Sequence, residues 1–222
     1  MLVDDFEHVI FDMDGVLLDS NEMKICAARE AMAQVMPEAA EAFAEHFRRN
    51  FGLSRREHFV WGYEQFLKPL GQGAAVIDGI INDYARRVGK RSRGCAVAQG
   101  ARALLSSLKV PRYVLTGSDQ TETRSLLAEV GLAPFFTEIL GSPTSKIDNL
   151  GGLIRRHAQR PARTLLIGDS HHDLAAARAF DIRFVLVLRY VPYDPESLSR
   201  EVRAAGGSVI DTLDQLIRQE VQ

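Results

Sequence analysis

His8-Val9-Ile10-Phe11-Asp12-Met13-Asp14-Gly15-Val16 is the stretch that decides the fold. A short apolar run, His8–Phe11, passes directly into two acids and a glycine. A run this short reads as a buried strand. In an open parallel sheet, ligands gather beyond the carboxyl ends of the strands. Asp12 and Asp14 therefore leave the strand where a substrate would sit, and Gly15 permits a sharp turn there. Read alone, the acids have a plainer account, since acidic residues often end strands and cap the next element.

Working outward, further strands are predicted at Tyr113–Leu115, Glu138–Leu140, Thr164–Ile167 and Arg183–Leu188, with a short piece at Ser208–Ile210. Helix-like stretches lie between them at Ala101–Leu108, Gln120–Val130, Ser145–His157 and Leu174–Phe180. This alternation predicts an α/β fold with a parallel sheet and crossover helices. The interval from Ser20 to about Arg91 breaks the rhythm. Ala27–Val35, Ala39–Asn50, Glu57–Leu67 and Ala75–Val88 each place apolar residues at helical spacing, with no convincing strand among them. A crossover needs far fewer residues, so a helical subdomain inserted after the first strand is expected. Gly94 to Gly100, rich in small residues, reads as the return hinge.

The chain has 222 residues, enough for one large domain or a core with a small second one. Apolar residues make up 46% and charged residues 25%, the balance of a soluble globular protein. A net charge of -2 supplies no global basic field, and basic runs interleaved with aromatic residues are absent. Nucleic acid is not expected as a partner. Met1–Asp5 lacks the basic start and apolar run of a signal peptide, and no apolar stretch approaches a membrane span. Cys26 and Cys95 match no C-x-x-C or zinc spacing and read as buried free thiols. A cytoplasmic location with no membrane partner is expected.

Three more strand ends carry polar clusters. Val114-Leu115-Thr116-Gly117-Ser118-Asp119 offers a hydroxyl and glycine-freed N–H groups just before a helix, a ready phosphate cradle. Ser118 or Asp119 would equally serve as the N-cap of that helix, and both readings can hold together. In Gly141-Ser142-Pro143-Thr144-Ser145-Lys146, the lysine can set positive charge against a phosphate and a carboxylate, or simply be solvated. In Leu165-Leu166-Ile167-Gly168-Asp169-Ser170-His171-His172-Asp173, Asp173 falls one helical turn after Asp169. Magnesium prefers carboxylate oxygens and keeps several waters, so two or three acids around one point suffice. His171 and His172 invite a transition metal, but adjacent helical residues do not face the same way. Together the strand ends supply a nucleophile, an acid/base, electrostatic clamps and a metal site, the parts needed to transfer a phosphoryl group from an ester to a carboxylate.

Phe-Asp-Met-Asp-Gly-Val-Leu at 11–17, Thr116-Gly117-Ser118, Lys146 and Gly-Asp-Ser-x-x-Asp at 168–173 resemble, in order and spacing, the four motifs of the haloacid dehalogenase superfamily. The resemblance implies a Rossmann-like core of residues 1–18 and 94–222 with an inserted helical cap at 19–93. It implies Asp12 as nucleophile, Asp14 as general acid/base, and Thr116 with Gly117 and Ser118 around phosphate oxygens. Lys146 would orient Asp12 and offset phosphate charge. A Mg2+ ion would be held by Asp12, Asp169 and the backbone carbonyl of Asp14, with Asp173 in support. Dehalogenases of this fold lack an aspartate at position 14, and a poor alkoxide leaving group needs the proton that Asp14 can give. The implied activity is hydrolysis of a small phosphorylated metabolite by a monomer or homodimer. A sugar phosphomutase and a catalytically retired binding protein are the alternatives. Phe51-Gly-Leu-Ser-Arg-Arg-Glu57 resembles the specificity loop of β-phosphoglucomutase-like members, which makes Arg55 and Arg56 substrate-binding candidates, or else a solvated pair at a helix start. Lys24 stands near the hinge where several relatives carry histidine and joins them as a candidate.

Overall fold

The protein is described by a computed structural model over residues 3–217. Met1 and Leu2 of the N-terminal stretch, and residues 218–222 of the expected core, lie outside the described residues. The chain begins with β1 (His8–Phe11) and β2 (Leu18–Asp19). Four helices follow: α1 (Asn21–Ala33), α2 (Ala40–Arg49), α3 (Arg55–Gly62) and α4 (Val76–Ser92). Then come β3 (Ala96–Val97), α5 (Ala101–Ser107), β4 (Arg112–Asp119), α6 (Gln120–Glu129), β5 (Glu138–Ser142) and α7 (Lys146–Arg156). The described chain closes with β6 (Thr164–Gly168), α8 (His171–Ala179), β7 (Arg183–Val187), α9 (Pro195–Ala204) and β8 (Ser208–Ile210).

Six strands form one parallel sheet in the order β5-β4-β1-β6-β7-β8. Side chains alternate faces along a strand, so strands covered on both sides read as unbroken apolar runs. Val9 and Phe11 of β1, Val114 of β4, Leu165 and Ile167 of β6 join one core cluster with Leu104 and Leu105 of α5 and Leu126 and Leu127 of α6. Ile10, Tyr113, Leu115 and Leu166 point the other way, onto Leu150 and Leu153 of α7, Leu174 of α8 and Leu198 of α9. The expected α/β, Rossmann-like architecture is present. Leu166 is fully buried, and truncating such a side chain to alanine costs about 2–5 kcal/mol. β1 lies between β4 and β6, so their carboxyl ends meet at one crevice where the strand order reverses.

The helices α1–α4 have a core of their own, in which Ile25, Met32, Phe43, Phe47, Phe59 and Tyr84 pack together. This helical layer leaves and rejoins the sheet through an antiparallel ribbon, with Leu18 opposite Val97 and Asp19 opposite Ala96. Sequence reading placed a hinge here and missed the ribbon, because two-residue strands are too short to carry a period. β4 runs to Asp119, past the expected end at Leu115, with an irregularity between those two residues. β7 stops at Val187, one residue short of the expectation, although the Leu188 N–H still donates to the Ile210 carbonyl at 3.0 Å. α8 starts at His171 rather than Leu174, because Ser170 and Asp173 form a reciprocal capping box. Cys26 and Cys95 are free thiols but only half-buried, against the expectation; the Cys95 thiol donates to the Asp19 carbonyl at 3.0 Å beside the ribbon. Among the described residues no helix is long and apolar enough to cross a membrane.

Candidate active site

The crevice at the carboxyl ends of β1, β4 and β6 gathers the candidate residues. The Asp12 N–H continues the strand pairing by donating to the Ile167 carbonyl at 2.8 Å, which fixes the Asp12 side chain at the strand mouth. Three residues on, Gly15 turns the chain with φ +75°, and a Cβ there would collide with the Asp169 carboxylate and the Asn21 amide. Both the backbone and the crowding demand glycine.

Lys146, the first residue of α7, is buried rather than solvated: its Nζ lies 2.8 Å from Asp12 Oδ1 and 2.5 Å from Asp173 Oδ1. Carboxylate oxygens of Asp12, Asp169 and Asp173 all lie within 4.8 Å of one another. Asp173 is oriented by Ser170, whose hydroxyl donates to its Oδ2 at 2.5 Å. Asp169 Oδ2 accepts from Asn21 Nδ2 at 2.6 Å, and the same amide donates to the Tyr190 carbonyl at 2.9 Å. Asp169 Oδ1, by contrast, is buried without a partner among the described residues.

Asp14 faces a separate set of groups. Its Oδ2 accepts from Lys24 Nζ at 2.5 Å and from Ser118 Oγ at 2.9 Å, while Ser20 donates to Oδ1. Lys24 also donates to Ser118 Oγ at 2.7 Å. Thr116 is buried, and its Oγ1 accepts from the Ser118 N–H at 3.1 Å. Gly117 lies directly under the Gly52 carbonyl of the helical layer, with no room for a Cβ. Asp119 caps α6, accepting from the N–H groups of Thr121 at 2.9 Å and Glu122 at 3.0 Å, so the capping account of this segment is correct alongside any binding role.

Electrostatics divide the two aspartates of the first motif. Burial pushes Asp12 up to about 7; Lys146 opposes the rise, and Asp173 and Asp14 add to it. Burial also raises Asp169 well above the carboxylate range, with Asp12 and Asp173 reinforcing it. Burial would raise Asp14 as well, but the Lys24 ammonium and the hydrogen bonds from Lys24, Ser20 and Ser118 outweigh it and hold Asp14 below its ordinary value. Burial alone would lower Lys146; Asp12 and Asp173 override it and keep the amine firmly protonated. Three buried carboxylates around one point, one with an orphaned oxygen, match the oxygen-donor preference of Mg2+, and the residues present fit that ion. Neither histidine belongs to the group: His171 Nδ1 pairs with Glu201 Oε2 at 2.9 Å, turned toward α9.

The arginines separate. Arg55 is mostly buried and paired with Glu122 of α6 through two contacts, one of 2.9 Å from Nη1, with its guanidinium 5.5 Å from the Tyr84 ring centroid. Arg56 is exposed and pairs with Asp78 at 3.1 Å. Asp12, Asp14, Lys24, Arg55, Thr116, Gly117 and Ser118 line a chamber of about 30 Å³ between the sheet and the helical layer, and His58 and Tyr84 line it too. Arg56 lies instead on an adjoining groove of about 970 Å³. Sequence reading missed the roles of Asn21, His58, Tyr84 and Glu122. A serine three residues before an acid was the readable signal for Ser170.

Residues 9–187 match the haloacid dehalogenase-like hydrolase family. The chain belongs to that family. Phosphoglycolate phosphatase of Neisseria gonorrhoeae is 27% identical to this haloacid dehalogenase-like hydrolase over 188 residues, covering 80% of this chain and 78% of the relative. Tyrosine-protein kinase PtkA of Mycobacterium tuberculosis is 28% identical over 191 residues, covering 81% of this chain and 61% of the relative. Among solved structures, β-phosphoglucomutase of Clostridium difficile superimposes with a TM-score of 0.77 at 18% identity, covering 96% of this chain and 93% of that one, a likeness of fold. The enzyme class expected from the sequence, a hydrolase of phosphoric monoesters, agrees with the family and with the phosphatases among its relatives.

Proposed function

We propose that this hydrolase is a magnesium-dependent phosphatase of small phosphomonoesters, a sugar phosphate or similar metabolite, acting through an aspartyl phosphate. The observation that carries the reading is the buried group of Asp12, Asp169 and Asp173, with an unpartnered Asp169 oxygen, set beside Lys146 and close to Asp14. Asp12, Asp169 and the backbone carbonyl of Asp14 would hold Mg2+, with Asp173 in support. That ion would supply positive charge against the transferring phosphoryl oxygens.

Asp12 attacks phosphorus, the ester P–O bond breaks, and Asp14 passes a proton to the departing alkoxide. Asp14 then takes a proton from water as the water oxygen attacks the aspartyl phosphate. The bond to Asp12 breaks and inorganic phosphate leaves. Lys146, Thr116 and the N–H groups of Gly117 and Ser118 offset phosphate charge. Lys24, bound to Asp14, favours its base form, the form that takes the proton from water; for the first step Asp14 must enter protonated with the ester in place. In this reading residues 19–93 act as a cap over a core of 1–18 and 94–222, and their closure excludes water. Arg55 holds the cap to α6, whereas Arg56, exposed and paired with Asp78, is left out of the site.

A panel of phosphomonoesters, assayed with magnesium and with chelator, tests the proposal. Free phosphate should appear with magnesium and stop on chelation; turnover that survives exhaustive chelation overturns it. An isomerised sugar phosphate in place of free phosphate would point to the phosphomutase.

A further inference from the structure

His58 of α3 is 1% exposed, and neither ring nitrogen has a hydrogen-bond partner among the described residues. Buried nitrogens are ordinarily paired, and leaving one unpaired costs stability. The ring is not free to turn away. It stacks on Phe47 with centroids 3.9 Å apart and planes 18° apart, and meets His46 edge-on at 5.5 Å. So clamped, it lines the chamber that holds Asp12, Asp14 and Thr116.

The charge around that chamber is already matched. Lys24 is committed to Asp14 and Ser118, and Arg55 to Glu122. Burial, aided by His46 of α2 and His172 of α8, keeps His58 neutral down to a pKa of about 3. A neutral imidazole presents one N–H and one lone pair. An anionic leaving group would find no unpaired cation among the residues lining the chamber, whereas a hydroxyl can both give and accept through one atom.

We propose that His58 is a specificity-determining residue that hydrogen-bonds a hydroxyl of the leaving alcohol, so that the substrates are phosphates of small, neutral, hydroxylated alcohols rather than of hydroxy acids. This rests on the phosphatase reading above.

The test compares kcat/KM for glycerol phosphate, propyl phosphate and phosphoglycolate with magnesium, in wild type, His58→Phe and His58→Gln. Wild type should favour glycerol phosphate over propyl phosphate by about tenfold, the worth of one hydrogen bond in a closed site, and should favour it over phosphoglycolate. His58→Phe keeps the stack on Phe47 but has no nitrogen, and the ratio of glycerol to propyl phosphate should fall to about one. His58→Gln retains a donor and an acceptor and should recover part of the ratio. His58→Leu carries the comparison if the phenylalanine variant does not fold. An unchanged ratio in the variant without a nitrogen overturns the assignment, as does a wild-type preference for phosphoglycolate. Turnover of none of the three esters by wild type overturns the phosphatase reading itself.

Discussion

At the scale of residues, the sharpest expectations concern side chains whose chemistry and shape can be separated. Asp12→Asn keeps the size but replaces an anionic oxygen with a neutral amide, so turnover should fall by several orders of magnitude while the thermal melt stays cooperative. Near-normal turnover by a folded variant would remove Asp12 as nucleophile. Asn21 should matter without touching the substrate, because its amide fixes the Asp169 carboxylate. Partners that orient a metal ligand are worth about tenfold to a hundredfold in affinity, so Asn21→Ala should weaken Mg2+ binding by that factor in calorimetric titration. These two residues differ in how legible they were. Asp12, Asp14, Lys146 and Asp169 lie just beyond the ends of apolar strands, and Asp173 comes one helical turn later, so local pattern finds them all. Asn21 meets Asp169 across 148 positions of chain, and His58 meets the chamber only after the helical layer has folded over it. Neither relation leaves a trace in local spacing.

At the scale of elements, α3 and α6 are joined by the Arg55–Glu122 pair, which spans the helical layer and the sheet layer. Were Arg55 a grip on the substrate's far end, Arg55→Ala would injure one substrate more than another. A side chain already bound by Glu122 implies similar losses on a natural-like ester and on a generic aryl phosphate. A double-mutant cycle with Glu122→Ala should give a coupling near 1 kcal/mol that shrinks as salt rises, since the carboxylate is half-exposed. A coupling of zero would assign Arg55 to the substrate after all. The same elements show what periodicity can and cannot deliver. Five apolar runs marked where strands of the sheet begin, to within one residue, because burial on both faces leaves an unbroken signature. The ends gave way where other forces decide: β4 is carried to Asp119 by pairing with Ser142, and α8 begins early because a capping box starts it.

At the scale of the molecule, two stability effects should be measurable. A ligand that binds only the folded chain stabilises it, by about 2.7 kcal/mol at a hundredfold excess over Kd. Mg2+ should therefore raise Tm in wild type and do so much less in Asp169→Ala. The second effect is acid sensitivity. His58 takes a proton near 6.5 in the unfolded chain but only near 3 when folded, chiefly through burial and also through His46 and His172; the other charged groups lining the chamber are Arg55 and Lys24, each already paired, and Asp12 and Asp14. The unfolded state thus binds more protons between those values, and stability is lost as pH falls through that window, by up to about 1.4 kcal/mol per pH unit. His58→Phe lacks this contribution. In urea titrations from pH 6.5 downward, the stability of wild type relative to the variant should decline steadily; a constant difference would mean that His58 is protonated in the fold.

The chamber's volume, about 30 Å³, has a temporal consequence. A phosphate ester occupies several times the room of the few water molecules that would fit, so the two layers as they stand lie too close for a substrate to sit between them. If residues 19–93 act as the cap proposed above, each catalytic cycle contains at least one parting and one rejoining of α1–α4 and the sheet, however fast the bond-making is. On that reading the pace would be bounded by the travel of a whole helical slab through solvent (roughly microseconds to milliseconds for a segment of this kind), and turnover should slow in viscous media. Friction, rather than barrier height, would then be the quantity that selection on speed acts upon.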